Sequence, residues 1–263
     1  ANDNVAIGRN SLGVNTTGTR NTSLGTNSLD TNTTGTELTA LGWGALGANT
    51  TANYNVAVGR SSLEDNTTGG SNVAVGYQSL ANNTTASGNV TVGYQAGTNN
   101  TTGTDNTFVG YQSGTTGTTG SYNTAFGFSS YVNGTGAFNT FVGRYSGTNT
   151  TGNNNNGFGN GALNANTIGV NNVAVGYGAL TANTEGNNNT AVGNQALDAL
   201  TTGSQNIGIG NSAGTHAVNL TTGSGNILIG YATDTTASAS DYATGIGYNL
   251  DAAAGYTTIG QSA

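Results

Sequence analysis

Few side chains in these 263 residues can act as acids, bases or metal ligands: 11 Asp and Glu, one His and no Cys. A Ser-His-Asp relay and a multi-histidine metal site each need histidine at hand. His216 is the sole one, inside the THAVNL stretch (215–220) that lengthens one repeat by three residues. It reads as an exposed residue on a bulging loop. Asp30, Glu64 and Asp198 hold the same place in their repeats but belong to distant coils, so no acid pair of glycosidase spacing is expected. The calcium repeat G-G-x-G-x-D is missing, and strings such as Gly157-Phe158-Gly159 lack the following helix a phosphate site requires. Without cysteine, disulfides and thiol chemistry drop out. The inventory predicts no enzyme, no metal and no cofactor.

Two other residue sets recur at a spacing that could serve binding. Aromatic side chains stand at Trp43, Tyr77, Tyr94, Tyr111, Phe128, Tyr177, Tyr231 and Tyr248, in a column of the repeat shared with Arg9, Arg60 and Arg144. Such a column makes a stacked ladder covering the rod or a subunit interface. Its other use is a strip for glycans or apolar surfaces, which aromatic faces suit. A recurring N-T-T turn creates N-x-[ST] acceptor sequences at Asn15, Asn32, Asn49, Asn66, Asn83, Asn100 and Asn149, all following from the repeat itself. The same turn lines up threonines in a column that resembles the Thr rows of ice-binding solenoids, with breaks at Thr118-Thr119, Ile168 and Glu185.

What positions these columns is a repeat of 17 residues. Its units begin at 4, 21, 38, 55, 72, 89, 106, 123, 139, 155, 172, 189, 206, 226, 243 and 256, and each carries a glycine at its fifth position, from Gly8 to Gly260. The consensus is N-x-A-[VIL]-G-x-x-[SA]-[LG]-x-x-N-T-T-G-x-x, as in NVAVGYQSLANNTTASG (72–88). One supersecondary unit per fixed period means coils stacked along one direction. Positions 2 to 4 are too short a run for a helix and right for a strand. Position 4 is apolar throughout and position 2 mostly Val, Ile or Thr, so these two, sharing one face of the strand, are predicted to point inward. Position 9, often Leu, closes the core from the opposite side. Asn at position 1 is predicted to stack into an amide ladder. The remaining Asn, Thr and Gly are turn chemistry, and no helix is expected. The predicted fold is all-β: a parallel β-solenoid, or β-roll, of about 16 coils in a single repeat domain over 1–263.

Composition narrows the partners. A formal charge of −7 argues against nucleic acid, which needs a basic face. No apolar run is long enough to span a membrane, and no signal peptide is present. The chain starts at Ala1 and stops mid-unit, so it is expected to be processed or a piece of a longer protein. Open ends that stack head to tail, or continue into further chain, are expected with it. Arg20 and Glu37, 17 residues apart, are predicted to pair across adjacent coils.

NVAIG (4–8), NVAVG (55–59, 72–76, 172–176) and NTAVG (189–193) resemble the head repeats of YadA-like trimeric autotransporter adhesins. Repeats of the type N-T-A-V-G…N-T-T-G also occur in phage tail-fibre proteins. The resemblance covers almost the whole chain. It implies a left-handed parallel β-roll in a homotrimer, an extracellular fibre on a cell surface or virion, and adhesion to a host surface, glycan or matrix. A core of two or three aliphatics per coil is thin against the entropy of ordering 17 residues, which also favours burial against sister chains.

Overall fold

The computed structural model describes residues 2–117 and 119–261; Thr118, at a break in the Thr column, and the terminal Ala1, Ser262 and Ala263 lie outside them. The chain forms two compact units, Ala1–Thr135 and Gly136–Ala263. Each unit winds the repeat into stacked coils, and the described residues contain no helix. Within each unit every coil contributes a short strand, three residues in most, paired in parallel and in register with the next. Val56, Ala57 and Val58 lie opposite Val73, Ala74 and Val75 in the first unit. Val173, Ala174 and Val175 lie opposite Thr190, Ala191 and Val192 in the second. Near the end of the second unit a two-stranded sheet, Asp234–Thr235 with Asp251–Ala252, is added on another side of the coil. The all-β parallel solenoid with its 17-residue spacing is the fold observed.

The strands face the other way from the sequence expectation. The middle residue is the buried one: Ala40, Ala57, Ala74, Ala125, Ala174 and Ala191 are inaccessible. Position 4 points to the outside, with Leu24 48%, Phe126 55% and Val92 37% exposed. The cause is the narrowness of the coil. The Ser62 hydroxyl, at position 8 of its unit, donates to the Ala74 carbonyl at 2.9 Å, and Ser113 does the same to Ala125 at 3.0 Å. Walls one hydrogen bond apart leave room for a small residue and exclude a pair of valines.

Position 9 supplies the bulk of the interior as expected: Leu29, Leu46, Leu63, Leu80, Leu163, Leu180 and Leu197 are fully buried. They hold left-handed backbone, φ between 48° and 54°, which costs a branched residue energy that burial must offset. Where position 9 is Gly, a larger side chain elsewhere takes the volume, as Phe108 does beside Gly114 and Phe141 beside Gly147. The fifth-position glycines stack on one another, all but Gly247 with φ between 127° and 147°, and a Cβ on Gly8 would lie 2.5 Å from the Gly25 carbonyl oxygen. No other residue fits that column.

Two asparagine ladders close the other end of the coil. At position 1, the Asn21 Oδ1 accepts from the Leu38 backbone N–H of the next coil at 3.0 Å, while its Nδ2 donates to the Gly35 carbonyl at 2.9 Å. At position 12, Asn49 Nδ2 donates to Asn32 Oδ1 and Asn66 Nδ2 to Asn49 Oδ1, at 2.9 and 3.2 Å. Both ladders share the carbonyl at position 15: Gly186 accepts from Asn172 and Asn183. Apart from Asn83 Oδ1 and Asn183 Oδ1, which lack a donor, these buried amides satisfy the polar interior that a 17-residue coil cannot avoid.

Candidate functional site

Turning positions 2 and 4 outward gives each unit a continuous β-branched face. In the first unit it runs through Val56, Val58, Val73, Val75, Val90 and Val92; in the second through Val173, Val175, Ile207, Ile209, Ile227 and Ile229. All of these are half-buried or exposed, and no charged residue falls at positions 2 or 4 of any coil. The rows repeat at the spacing of the coils because the register is fixed at every strand pair.

Position 6 carries the aromatic column. Tyr77, Tyr94, Tyr111 and Phe128 stack face to face, with centroids 5.0–5.2 Å apart and planes within 11°. Tyr231 and Tyr248 form a second pair at 5.1 Å. The Arg60 guanidinium sits between Trp43 and Tyr77, 5.3 and 5.7 Å from their centroids, so the stack begins at Trp43. Rings stacked in this way cover one another's faces and offer edges to solvent. Tyr177 stands apart, with Asn160 and Asn194 at position 6 of the coils on either side.

A recess opens beside each unstacked ring. In the first unit Gly44, Gly47 and Ala48 leave the surface of their coil bare, and the gap of about 280 Å³ is lined by Asn27, Asp30, Thr31, Trp43, Glu64 and Asp65. In the second, Gly161 and Gly178 do the same, and a gap of about 250 Å³ is lined by Asn160, Tyr177, Thr181, Gln195 and Asp198. Asp30 and Glu64, two coils apart in the stack, thus both line one recess. The one coil between them lacks side chains to fill the space. Burial pushes the Asp198 carboxyl above its ordinary value, opposed by hydrogen bonds from Thr215, Gln195 and the Ala199 backbone.

The other sequence candidates are placed as follows. His216 is exposed on its inserted loop. That loop is held from the next coil by buried Asp234, whose Oδ2 accepts the backbone N–H groups of His216, Ala217 and Val218 at 2.8–3.0 Å. Sequence reasoning passed over Asp234; the sign was a carboxylate at position 9, where most coils have Leu or Gly. Of the acceptor asparagines, Asn32, Asn49, Asn66 and Asn83 are buried with their amides in the position-12 ladder and Asn100 is buried with its amide on the Gly103 backbone, leaving Asn15 half-buried and Asn149 exposed. Position-13 threonines turn their hydroxyls along the stack, as Thr67 does to the Thr84 carbonyl at 2.9 Å. Position 14 keeps an exposed row at Thr17, Thr34, Thr51, Thr68, Thr85 and Thr102. Arg20 and Glu37 pair at 2.5 Å.

Among the described residues no three His, Asp or Glu side chains gather as a metal site, and no helix is long and apolar enough to cross a membrane. No protein-family model and no curated protein sequence matches the chain.

Proposed function

We propose that this chain is a rod segment of an extracellular fibre, of the kind found in surface adhesins and tail-fibre shafts, in which sister chains join through the strand face. The uncharged row of outward Val, Ile, Leu and Phe side chains carries this reading. Monomeric surfaces rarely expose a contiguous apolar patch above a few hundred Å². The occupant best suited to such a row is another copy of it: the same repeat spacing and no charge on either side, with position-2 threonines such as Thr107 and Thr124 the main polar groups on the face. The repeat resemblance to trimeric adhesin heads supports three copies and a place outside the cell. Light scattering on the intact chain tests it. The expected mass is three times the 25.9 kDa of one chain; a single-chain mass at every concentration overturns it.

A second reading, binding to an ordered surface such as ice, is favoured by the position-14 threonine row of the first unit. In the second unit Ile168 and Glu185 interrupt that row. Thermal hysteresis in the monomer and in the assembled protein separates the two readings.

A further inference from the structure

We infer that the recesses beside Trp43 and Tyr177 are equivalent saccharide sites, each taking one pyranose ring of a neutral glycan. The two are built alike in separate units. In each, an aromatic residue outside the tyrosine stack is followed directly by Gly (Gly44, Gly178), and a carboxylate stands 21 residues further on (Glu64, Asp198). The stacked tyrosines lack this pattern. Tyr77, Tyr94 and Tyr111 are each followed by Gln, and those side chains join in a ladder, Gln95 Nε2 to Gln78 Oε1 at 2.9 Å and Gln112 Nε2 to Gln95 Oε1 at 3.1 Å. The glycine removes that cover just where the ring has a free side.

Trp43 is 45% exposed and ends its stack: Arg60 lies on one side, and the preceding coil offers only the short Thr26. Tyr177 is 59% exposed with no ring against either face. An aromatic face packs against the C–H face of a sugar ring while carboxylate and amide groups bond its hydroxyls. Glu64 and Asn27 line the first recess, and Asp198 and Gln195, already hydrogen-bonded to each other, line the second. Volumes of about 280 and 250 Å³ fall just below the usual range of ligand clefts and suit one ring. Asp30, Glu64 and Asp65 line the first recess without gathering as a metal site, and the second has only Asp198. What the two share is the equipment for a polyol.

Trp43 is the only tryptophan, so its fluorescence reports the first site alone. The intact chain is titrated with cellotetraose, chitotetraose and mannotetraose, with choline as the cationic control. At least one tetrasaccharide should change Trp43 emission saturably and receive saturation transfer from Tyr177 by NMR. Gly44→Gln places at this left-handed position the residue already carried there by Gln78, Gln95 and Gln112 at φ 50–52°. It should abolish the emission change and leave transfer from Tyr177 intact, with an unchanged melting curve. Glu64→Gln, which removes charge without filling the recess, should weaken the response about tenfold, the loss of one charge-assisted hydrogen bond. No response to any of the three sugars, undiminished binding in both variants, or a response to choline alone overturns the assignment. The test reads binding and not mass, so its failure leaves the assembly proposal standing.

Discussion

The ring of Phe108 occupies the space that a side chain on Gly114 would need: a Cβ there would lie 2.5 Å from the ring. Both residues belong to one coil, at positions 3 and 9, where Ala and Leu are the commonest residues. The interior thus conserves volume across the coil while the sequence trades large for small. Phe108→Ala alone should cost about 3–5 kcal/mol through the cavity it leaves. The double change Phe108→Ala with Gly114→Leu restores the common pair, and Leu is at home at that left-handed backbone in seven other buried positions. Chemical denaturation should show the double variant recovering most of the loss; equal stability of the double and the single would refute the exchange.

The position-12 ladder gives a second prediction. Asn66 Nδ2 donates both to Asn49 Oδ1 and to the Gly69 carbonyl, and Asn66 Oδ1 accepts from Asn83. Asn66→Asp puts a buried carboxylate against two acceptors, and should destabilise by about 3 kcal/mol or more at neutral pH. Asn66→Leu should be milder, because the chain already tolerates buried Leu200 at the same place. There the ladder stops, and Asn183 Oδ1 is left without a donor. Thermal melts of the two variants check the order; Asp milder than Leu would mean that this amide is not engaged as described.

Asp198 gives a pH dependence. Burial raises its folded pKa above the ordinary 3.8, so the ionised form is disfavoured in the folded state. Below about pH 3.8 it is protonated both folded and unfolded, and no penalty applies. As pH rises through the folded value, the folded protein must give up a proton that it holds more tightly than the unfolded chain, and stability falls. Asp198→Asn keeps an acceptor for Gln195 and Thr215 and should therefore raise the melting temperature at pH 7 while matching the parent near pH 3. A gain that is the same at both pH values would assign the effect to packing.

Much of this was legible in the repeat itself. The glycine at position 5 marks the coil period because a Cβ there meets the next coil's carbonyl. Asn21 and its counterparts announced an amide ladder, and the Arg20–Glu37 spacing announced their pairing. The direction of the strands was not legible by the usual rule that apolar residues two apart face inward. That rule assumes a core wide enough for both, whereas Ser62 and Ala74 show opposite walls in hydrogen-bond contact. The contrary sign lay in positions 3 and 8, small in nearly every coil: side chains that face each other across a thin interior must be small. Trp43 and Tyr177 likewise looked like ordinary members of the aromatic column. Only the glycine after each, read against Gln78 and Gln95, sets them apart.

The central claim is that Ala74 faces in while its neighbour Val75 faces out to meet another copy. Sedimentation velocity with circular dichroism on Ala74→Asp and Val75→Asp tests it in one comparison. The account predicts that Ala74→Asp loses the β-sheet spectrum, because an unpaired charge would enter a walled interior. Val75→Asp should keep the spectrum and sediment at a lower mass than the parent, its charge landing on the shared face. A Val75→Asp protein that unfolds, beside an Ala74→Asp protein that keeps the parent's spectrum and mass, would contradict it.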